Sequence, residues 1–488
     1  MESKSAQPRR GSAATRIAAA LAVLLVAVYF LVPRRSAVEA AANRPINVLL
    51  IVADTLRADR LACYGYPRPT SPNIDKLARA GTRYERNHSQ ACWTLPSMIS
   101  MMTGRSVVEE VKALPPQPTV LGEVARDAGF ETAAFLTNQG LGPASGFQRG
   151  WETYHSLDNE RADSLASSFV DWHSTRTDTR PWFGWVHFID PHEPYEPDAA
   201  HDVFQGPRID HARIEGQLRA AQSELEKLSP DPRTQSLEDS VARATSDSNR
   251  YDGEVLSVDD GVGAILAELE RSGELEHTLV IFCADHGEML YEQRQQPLIT
   301  HASLEANGHL PQGVLELFGH GHRPWYYEHL WRTPLILAGP GMPANAVRSH
   351  LSENLDIFPT VLEALGLPAR PELEGRSLWG GAESGHERVF AYGHRTSAVI
   401  ESSGLKLIVH PPEMFLEKAG GEPKLELHDL ASDPGELTDL AQERADDARR
   451  LLQEVRAWHA RSPHYGSDRT AEEQLKVLKK LGYIEGDR

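Results

Sequence analysis

The sequence predicts an α/β fold with a mostly parallel central sheet, followed after residue 386 by a smaller α+β module. Three observations carry that prediction. Ile46 to Ala53, Thr132 to Thr137, Trp182 to Ile189 and Thr278 to Ala284 are largely apolar, strand-length runs, as expected of strands covered on both faces. Helix-forming stretches separate them, and a strand-helix-strand rhythm implies parallel pairing. After about Glu387 the runs shorten and their connections tighten, which favours an antiparallel sheet.

A chain of 488 residues has room for one large core plus such a module. Fifty Lys and Arg against sixty-nine Asp and Glu give a net charge of −19, which argues against nucleic acid or anionic lipid as the main partner. Cys63, Cys92 and Cys283 are too few and too scattered for a disulfide framework or a zinc ribbon, and they read as structural.

Ile17 to Val32 is an uncharged, almost wholly apolar run, preceded by Lys4, Arg9, Arg10 and Arg16 and followed by Arg34 and Arg35. It predicts an uncleaved signal-anchor: residues 1–16 form a basic cytoplasmic tail, 17–32 a transmembrane helix and 33–45 a linker, with the remainder periplasmic or extracellular. Val38 and Ala40 supply a weak cleavage site as the alternative.

In order, the first strand ends on Asp54, where open α/β sheets place ligands and where a carboxylate also caps the following turn. Ser71 to Gly81 reads as a capped helix stopped by glycine. Ser89 to Arg105 then presents Thr94 at an expected N-cap, with Pro96 just inside the helix and Met98, Ile99, Met101 and Met102 behind it. A hydroxyl there faces the positive end of the helix dipole, whether it only caps the helix or does chemistry.

Val120 to Gly129 is helical. The strand from Trp182 runs into Asp190-Pro-His-Glu-Pro-Tyr195, where His187 suits a hydrogen-bonded core role and His192, in a proline-rich loop, is the better functional candidate. Residues 199–248 form a charged, helix-prone surface excursion without a chemical cluster, and Tyr251 to Arg271 an amphipathic helix.

Asp285-His286-Gly287-Glu288 follows the next strand and offers one oxygen and one nitrogen ligand to a metal. Residues 291–316 form a second excursion, whose His301 and His309 read as solvated. His320 and His322, separated by glycine ahead of the strand Pro334 to Ala338, suit substrate or metal contact. Asp356 to Gly366 closes the domain 46–386 with a helix. Residues 387–488 hold short strands at Val389 to Tyr392, Leu405 to Val409 and Lys424 to Leu427, then a long helix from Glu436 to Ala460.

Together, Asn47 to Asp59, Ser89 to Arg105, Phe188 to Tyr195, Ile281 to Glu288, Gly319 to Pro340, Asp356 to Gly366, Glu426 to Leu440 and Gln474 to Ile484 resemble the sulfatase family of the alkaline phosphatase superfamily. The resemblance implies an alkaline-phosphatase-like large domain, with a mixed, mostly parallel sheet flanked by helices, and a C-terminal subdomain with a short antiparallel sheet. It implies one divalent metal ion on Asp54, Asp285 and His286, with Thr94 as both nucleophile and metal ligand. His192 and either His322 or His320 would hold the ester and protonate its leaving oxygen.

Three departures shape the expected chemistry. Thr94 stands where the family carries Cys or Ser, and Met98 stands where the Arg that accompanies oxidation to formylglycine belongs, so no formylglycine is expected. Thr55 replaces the second Asp of an Asp-Asp pair, which weakens calcium against manganese, magnesium or zinc and leaves the ion's identity open. A threonine has one hydroxyl and cannot expel sulfate as a formylglycine hydrate does, so phosphate or phosphonate esters suit it better. In this the site resembles lipoteichoic acid synthases, phosphoethanolamine transferases and nucleotide phosphodiesterases.

The expectation is a metal-dependent hydrolase of sulfate- or phosphate-type esters. The alternatives are a transferase using the same site and a non-catalytic anion-binding protein. The oligomeric state stays open.

Overall fold

The computed structural model describes residues 46–157, 160–228, 236–294, 314–322, 325–411 and 422–462. The expected anchor at 17–32, His301, His309 and the segment from Gln474 to Ile484 lie outside these residues. Among the described residues no helix is long and apolar enough to cross a membrane.

The core is an eight-stranded sheet built from β1 (Asn47–Ala53), β2 (Gly81–His88), β3 (Glu131–Leu136), β4 (Thr153–Ser156), β5 (Trp182–Phe188), β6 (Thr278–Ala284), β9 (Arg332–Ala338) and β10 (Ala346–Glu353). β7 (Met289–Arg294) and β8 (Phe318–Gly321) form a separate hairpin. The strand order is β10-β2-β9-β6-β1-β5-β3-β4. β9 pairs antiparallel with both β2 and β6, and the other pairs in this sheet are parallel.

Alternation along β1 shows why the sheet needs cover on both sides. Val48, Leu50 and Val52 pack into one apolar layer with α2 (Thr94–Thr103), α3 (Leu121–Asp127) and α7 (Ile357–Ala364). Leu49, Ile51 and Ala53 pack into the opposite layer with α1 (Pro72–Ala80), α4 (Ala162–Thr175) and α6 (Leu237–Ser272). The remaining long helix, α5 (His211–Leu228), lies in the first excursion.

Several elements depart from the sequence expectation. The amphipathic helix expected from Tyr251 begins at Leu237 and runs 36 residues, its start capped by the Ser236 hydroxyl accepting the Asp239 N–H at 3.0 Å. β2 and β10 carry Arg, Glu, Ser and His on partly exposed positions and so lack a buried-strand signature. The excursion 199–248, read as chemically bland, sends in a buried Arg208. Its guanidinium donates to the Leu290 carbonyl at 2.6 Å and pairs with Glu292 at 2.9 Å. Arg57 meets the same carboxylate at 2.7 Å, so Glu292 ties the excursion to the loop after β1 and is held well below the usual carboxylate range, burial opposing and Arg57 the strongest charge in favour.

The C-terminal sheet is antiparallel in the order β11 (Arg388–Gly393), β12 (Thr396–Glu401), β13 (Leu405–His410), β14 (Lys424–Asp429). α8 (Ala445–Arg461) packs on one face through Leu451 and Val455. It starts nine residues later than the helical pattern suggested. The other face packs on Trp325, Tyr326 and Trp331 of the main domain. Lys406 of β13 is buried there, reaching Glu436 at 2.6 Å and Glu328 at 3.0 Å.

Candidate active site

Register brings two carboxylates together. Ala53 of β1 lies opposite Ala284 of β6, so Asp54 and Asp285 leave adjacent strands side by side, both fully buried. Thr55 turns at φ 57°, an uncommon conformation for a β-branched residue. The turn lets its N–H donate to Asp285 Oδ1 at 3.2 Å, while its carbonyl accepts the Tyr251 hydroxyl at 2.7 Å. The His286 N–H donates to the same Oδ1 at 2.8 Å, and among the described residues Asp285 Oδ2 accepts no hydrogen bond.

α2 brings the hydroxyl. Trp93, extended at φ −156°, is the N-cap and Thr94 is the first helical residue, one position inside the expected cap. Its Oγ1 lies 3.4 and 3.3 Å from Asp54 Oδ1 and Oδ2 and 3.3 Å from His286 Nε2. The Ser97 hydroxyl donates to the Asp285 carbonyl at 2.6 Å, locking the helix start to the end of β6. The apolar run behind Thr94 is buried without exception, so the helix cannot slide away from the strand ends.

His286 is oriented for ligation. Its Nδ1 sits 2.9 Å from the Gly287 carbonyl, which assigns the ring proton to that nitrogen. The lone pair of Nε2 then points between Asp54 Oδ1 and Asp285 Oδ2, each 3.5 Å away. Burial pushes this imidazole below its usual pKa.

Asp54 and Asp285 behave oppositely. Burial works to raise Asp54, but His187, His192 and His286 bring it below the ordinary carboxylate range. Burial and then the Asp54 charge push Asp285 well above it. Among the described residues neither carboxylate pairs with a lysine or arginine. Two buried carboxylates, one of them with an unpartnered oxygen turned to the same space as an imidazole lone pair, fit a divalent cation. Donor atoms of Asp54, His187 and Asp285 lie within 4.8 Å of one another.

The remaining histidines divide. The His322 ring lies tilted against those of His286 (4.9 Å between ring centres) and His192 (4.7 Å), with Nδ1 3.4 Å from Glu288 Oε1. Burial, with the charges of His192 and His286, pushes it well below its usual pKa. His320 instead stacks on Tyr291 at 4.7 Å and meets Glu193 at 3.2 Å. Gly321, at φ 73°, turns the chain between them. The structure thus gathers Asp54, Thr94, Asp285, His286, His192 and His322, and sets His320 to one side.

Three neighbours were not read as site residues from sequence, where His187 was expected in a hydrogen-bonded core role. His187 stands 3.6 Å from Asp54 Oδ2, the Asn138 amide donates to that oxygen at 2.5 Å, and Glu288 backs His322.

An alkaline-phosphatase-like α/β fold with a carboxylate-histidine cluster at its strand ends defines the class as an ester hydrolase. The chain belongs to the Sulfatase family, which matches residues 46–367. It is similar to the choline-sulfatase of Rhizobium meliloti, 23% identical over 464 residues covering 81% of this chain and 82% of that one. A solved structure of BT4656 in complex with D-glucosamine-2-N,6-O-disulfate superposes with a TM-score of 0.66 at 16% identity, covering 87% of this chain and all of the other. The phosphonate monoester hydrolase of Agrobacterium radiobacter superposes with a TM-score of 0.61 at 19% identity, covering 85% and 96%.

Proposed function

We propose that the chain is a metal-dependent hydrolase of phosphate- or sulfate-type esters with Thr94 as nucleophile. The observation that carries this reading is the Thr94 hydroxyl, 3.3 Å from both Asp54 Oδ2 and His286 Nε2 at the start of a buried helix. A divalent ion on Asp54, Asp285 and His286 would lower the pKa of that hydroxyl and neutralise the anionic oxygens of the ester.

Thr94 Oγ1, its proton given up to solvent water, then attacks phosphorus or sulfur in line with the departing alcohol. As the bond to Oγ1 forms, the bond to the alcohol oxygen breaks, and His322 gives that oxygen its proton. His322 must gain the proton first, and the arrival of an anionic ester beside it favours the charged imidazolium. His192 holds a non-bridging oxygen, the N-terminus of α2 favours the negative charge, and water releases the acid from Thr94.

The single hydroxyl of Thr94 supports phosphorus over sulfur. The named activities of the similar proteins span sulfate and phosphonate esters, so both belong in the test. The same reading takes residues 46–386 as the catalytic domain, 387–488 as its C-terminal subdomain, and 17–32 as a membrane anchor that leaves both on the periplasmic or extracellular side. The apolar run at 17–32 and its flanking arginines support that placement.

The test is a panel of aryl sulfate, phosphate monoester, phosphodiester and phosphonate, run on protein stripped with a chelator and reloaded in turn with magnesium, manganese, zinc and calcium. Turnover should vanish on stripping and return on reloading, with at least one phosphorus ester at least about tenfold faster than the sulfate. Turnover of sulfate alone contradicts the phosphorus preference. No turnover of any ester with any ion overturns the reading.

A further inference from the structure

Strand register sets one more imidazole against the carboxylates. β5 pairs in parallel with β1, His187 opposite Val52, and the ladder runs one residue past β1, the Asp54 N–H donating to the Phe188 carbonyl at 2.9 Å. Side chains two apart on a strand share a face, so Val52 and Asp54 point the same way and the His187 ring stands beside the Asp54 carboxylate. Its Nε2 lies 3.6 Å from Asp54 Oδ2. Trp185 holds the ring edge-on, with centres 5.9 Å apart and planes 87° from parallel.

His187 is fully buried, and among the described residues neither of its ring nitrogens makes a hydrogen bond. At 3.6 Å the approach to Asp54 is too long for one. The hydrogen-bonded core role expected from sequence is therefore not what this ring performs. Buried polar groups in folded proteins are satisfied by hydrogen bonds, ordered water or an ion.

The surroundings fit an ion. One donor atom from each of Asp54, His187 and Asp285 lies within 4.8 Å of the other two. His286 Nε2 meets the other Asp54 oxygen, 3.5 Å from Oδ1, and stands 3.5 Å from Asp285 Oδ2. Donors bound about 2.1 Å from a tetrahedral ion stand about 3.4 Å from one another. The 3.5 and 3.6 Å separations here are close to that spacing.

We propose that His187 is a ligand of the site's divalent ion, so that two carboxylates and two imidazoles hold it and the site selects zinc over magnesium and calcium. Magnesium and calcium take oxygen donors, whereas imidazole suits zinc, and a second imidazole in a buried site moves the choice toward zinc. The proposal rests on the reading of the site as metal-dependent. It adds a residue from β5 to the set supplied by the ends of β1 and β6.

The test loads the metal-stripped full chain with one equivalent of Cu2+ as a spectroscopic probe and counts bound imidazoles by pulsed EPR from their remote ring nitrogens. Wild type should show two and His187→Gln one, with thermal unfolding checking that the variant is folded. His192→Ala and His322→Ala should each keep two, so the count decides the proposal even where the His187 variant does not fold. In competition titrations wild type should bind zinc at least about a thousandfold more tightly than calcium. His187→Gln should lose at least about a hundredfold for zinc and less than about tenfold for calcium, because the amide still offers an oxygen. A wild-type count other than two, two imidazoles or undiminished zinc affinity in folded His187→Gln, a fall to one in His192→Ala or His322→Ala, or calcium bound as tightly as zinc overturns the proposal and leaves the hydrolase reading standing. A stripped wild type that takes up no divalent ion overturns the metal-dependent reading, and the proposal falls with it.

Discussion

Thr94→Ala should lower kcat for the preferred ester by at least about a thousandfold, while the protein stays folded and still binds metal through its two carboxylates and imidazole. The structure supplies the reasons for both halves of that expectation. Thr94 Oγ1 is the hydroxyl set 3.3 Å from His286 Nε2 and from Asp54 Oδ2, and Ser97 is already committed to the Asp285 carbonyl. Loss of the side chain therefore leaves no neighbouring hydroxyl to take its place. The helix does not depend on it, because Trp93 is the N-cap and makes no side-chain capping bond. Thr94→Ser restores a hydroxyl at the same Cβ and should recover activity to within about tenfold of wild type. Equal kcat in Thr94→Ala and wild type removes Thr94 from the chemistry.

The second large effect should come from Asp285→Asn, and it should run in opposite directions in two measurements. With metal present, hydrolysis should fall by at least about a hundredfold, because the unpartnered Oδ2 is replaced by an amide that cannot ligate. Without metal, the variant should be more stable than wild type by about 1–3 kcal/mol, seen as a higher Tm. Asn keeps an oxygen for the Thr55 and His286 N–H groups, and its amide hydrogens face Asp54 in place of a second negative charge.

The sign with pH follows. The folded pKa of Asp285 is raised by burial and Asp54, so the folded state binds the extra proton and metal-free wild type loses stability as pH rises above about 4. The variant lacks that contribution. A metal-free Tm below wild type at neutral pH, with activity retained, contradicts this account of the site.

Much of this site was legible before any coordinates. Asp54 and Asp285 end buried apolar runs, and such ends lie on one edge of a parallel sheet, but that β1 and β6 are neighbours came from the family resemblance and not from the runs themselves. The proline and apolar run marked Thr94 as a helix start, its chemical role came from the family resemblance, and the cap fell one residue earlier, on Trp93. His187 was hidden because its neighbours in sequence are apolar and nothing local says that its face of β5 ends against Asp54. Asn138 and Glu288 depend on contacts across sheet and hairpin, which one sequence does not encode locally.

Of the fold, the four buried strands were readable from composition. β2 and β10 were not, because both carry polar residues and join the sheet at the side where β9 runs against the rest. The length of α6 was hidden in a charged stretch whose helicity depends on packing along its buried C-terminal half.

The most direct test of the central assignment is a rapid-quench experiment on the metal-loaded protein with its fastest ester, followed by peptide mass analysis. The account predicts that the peptide spanning Thr94 gains one phosphoryl or sulfuryl group within the first turnover, and that Thr94→Ala shows none. Burst-phase release of the alcohol with an adduct on any other residue, or turnover whose quenched Thr94 peptide stays unmodified even when hydrolysis of the covalent state is slowed, contradicts it.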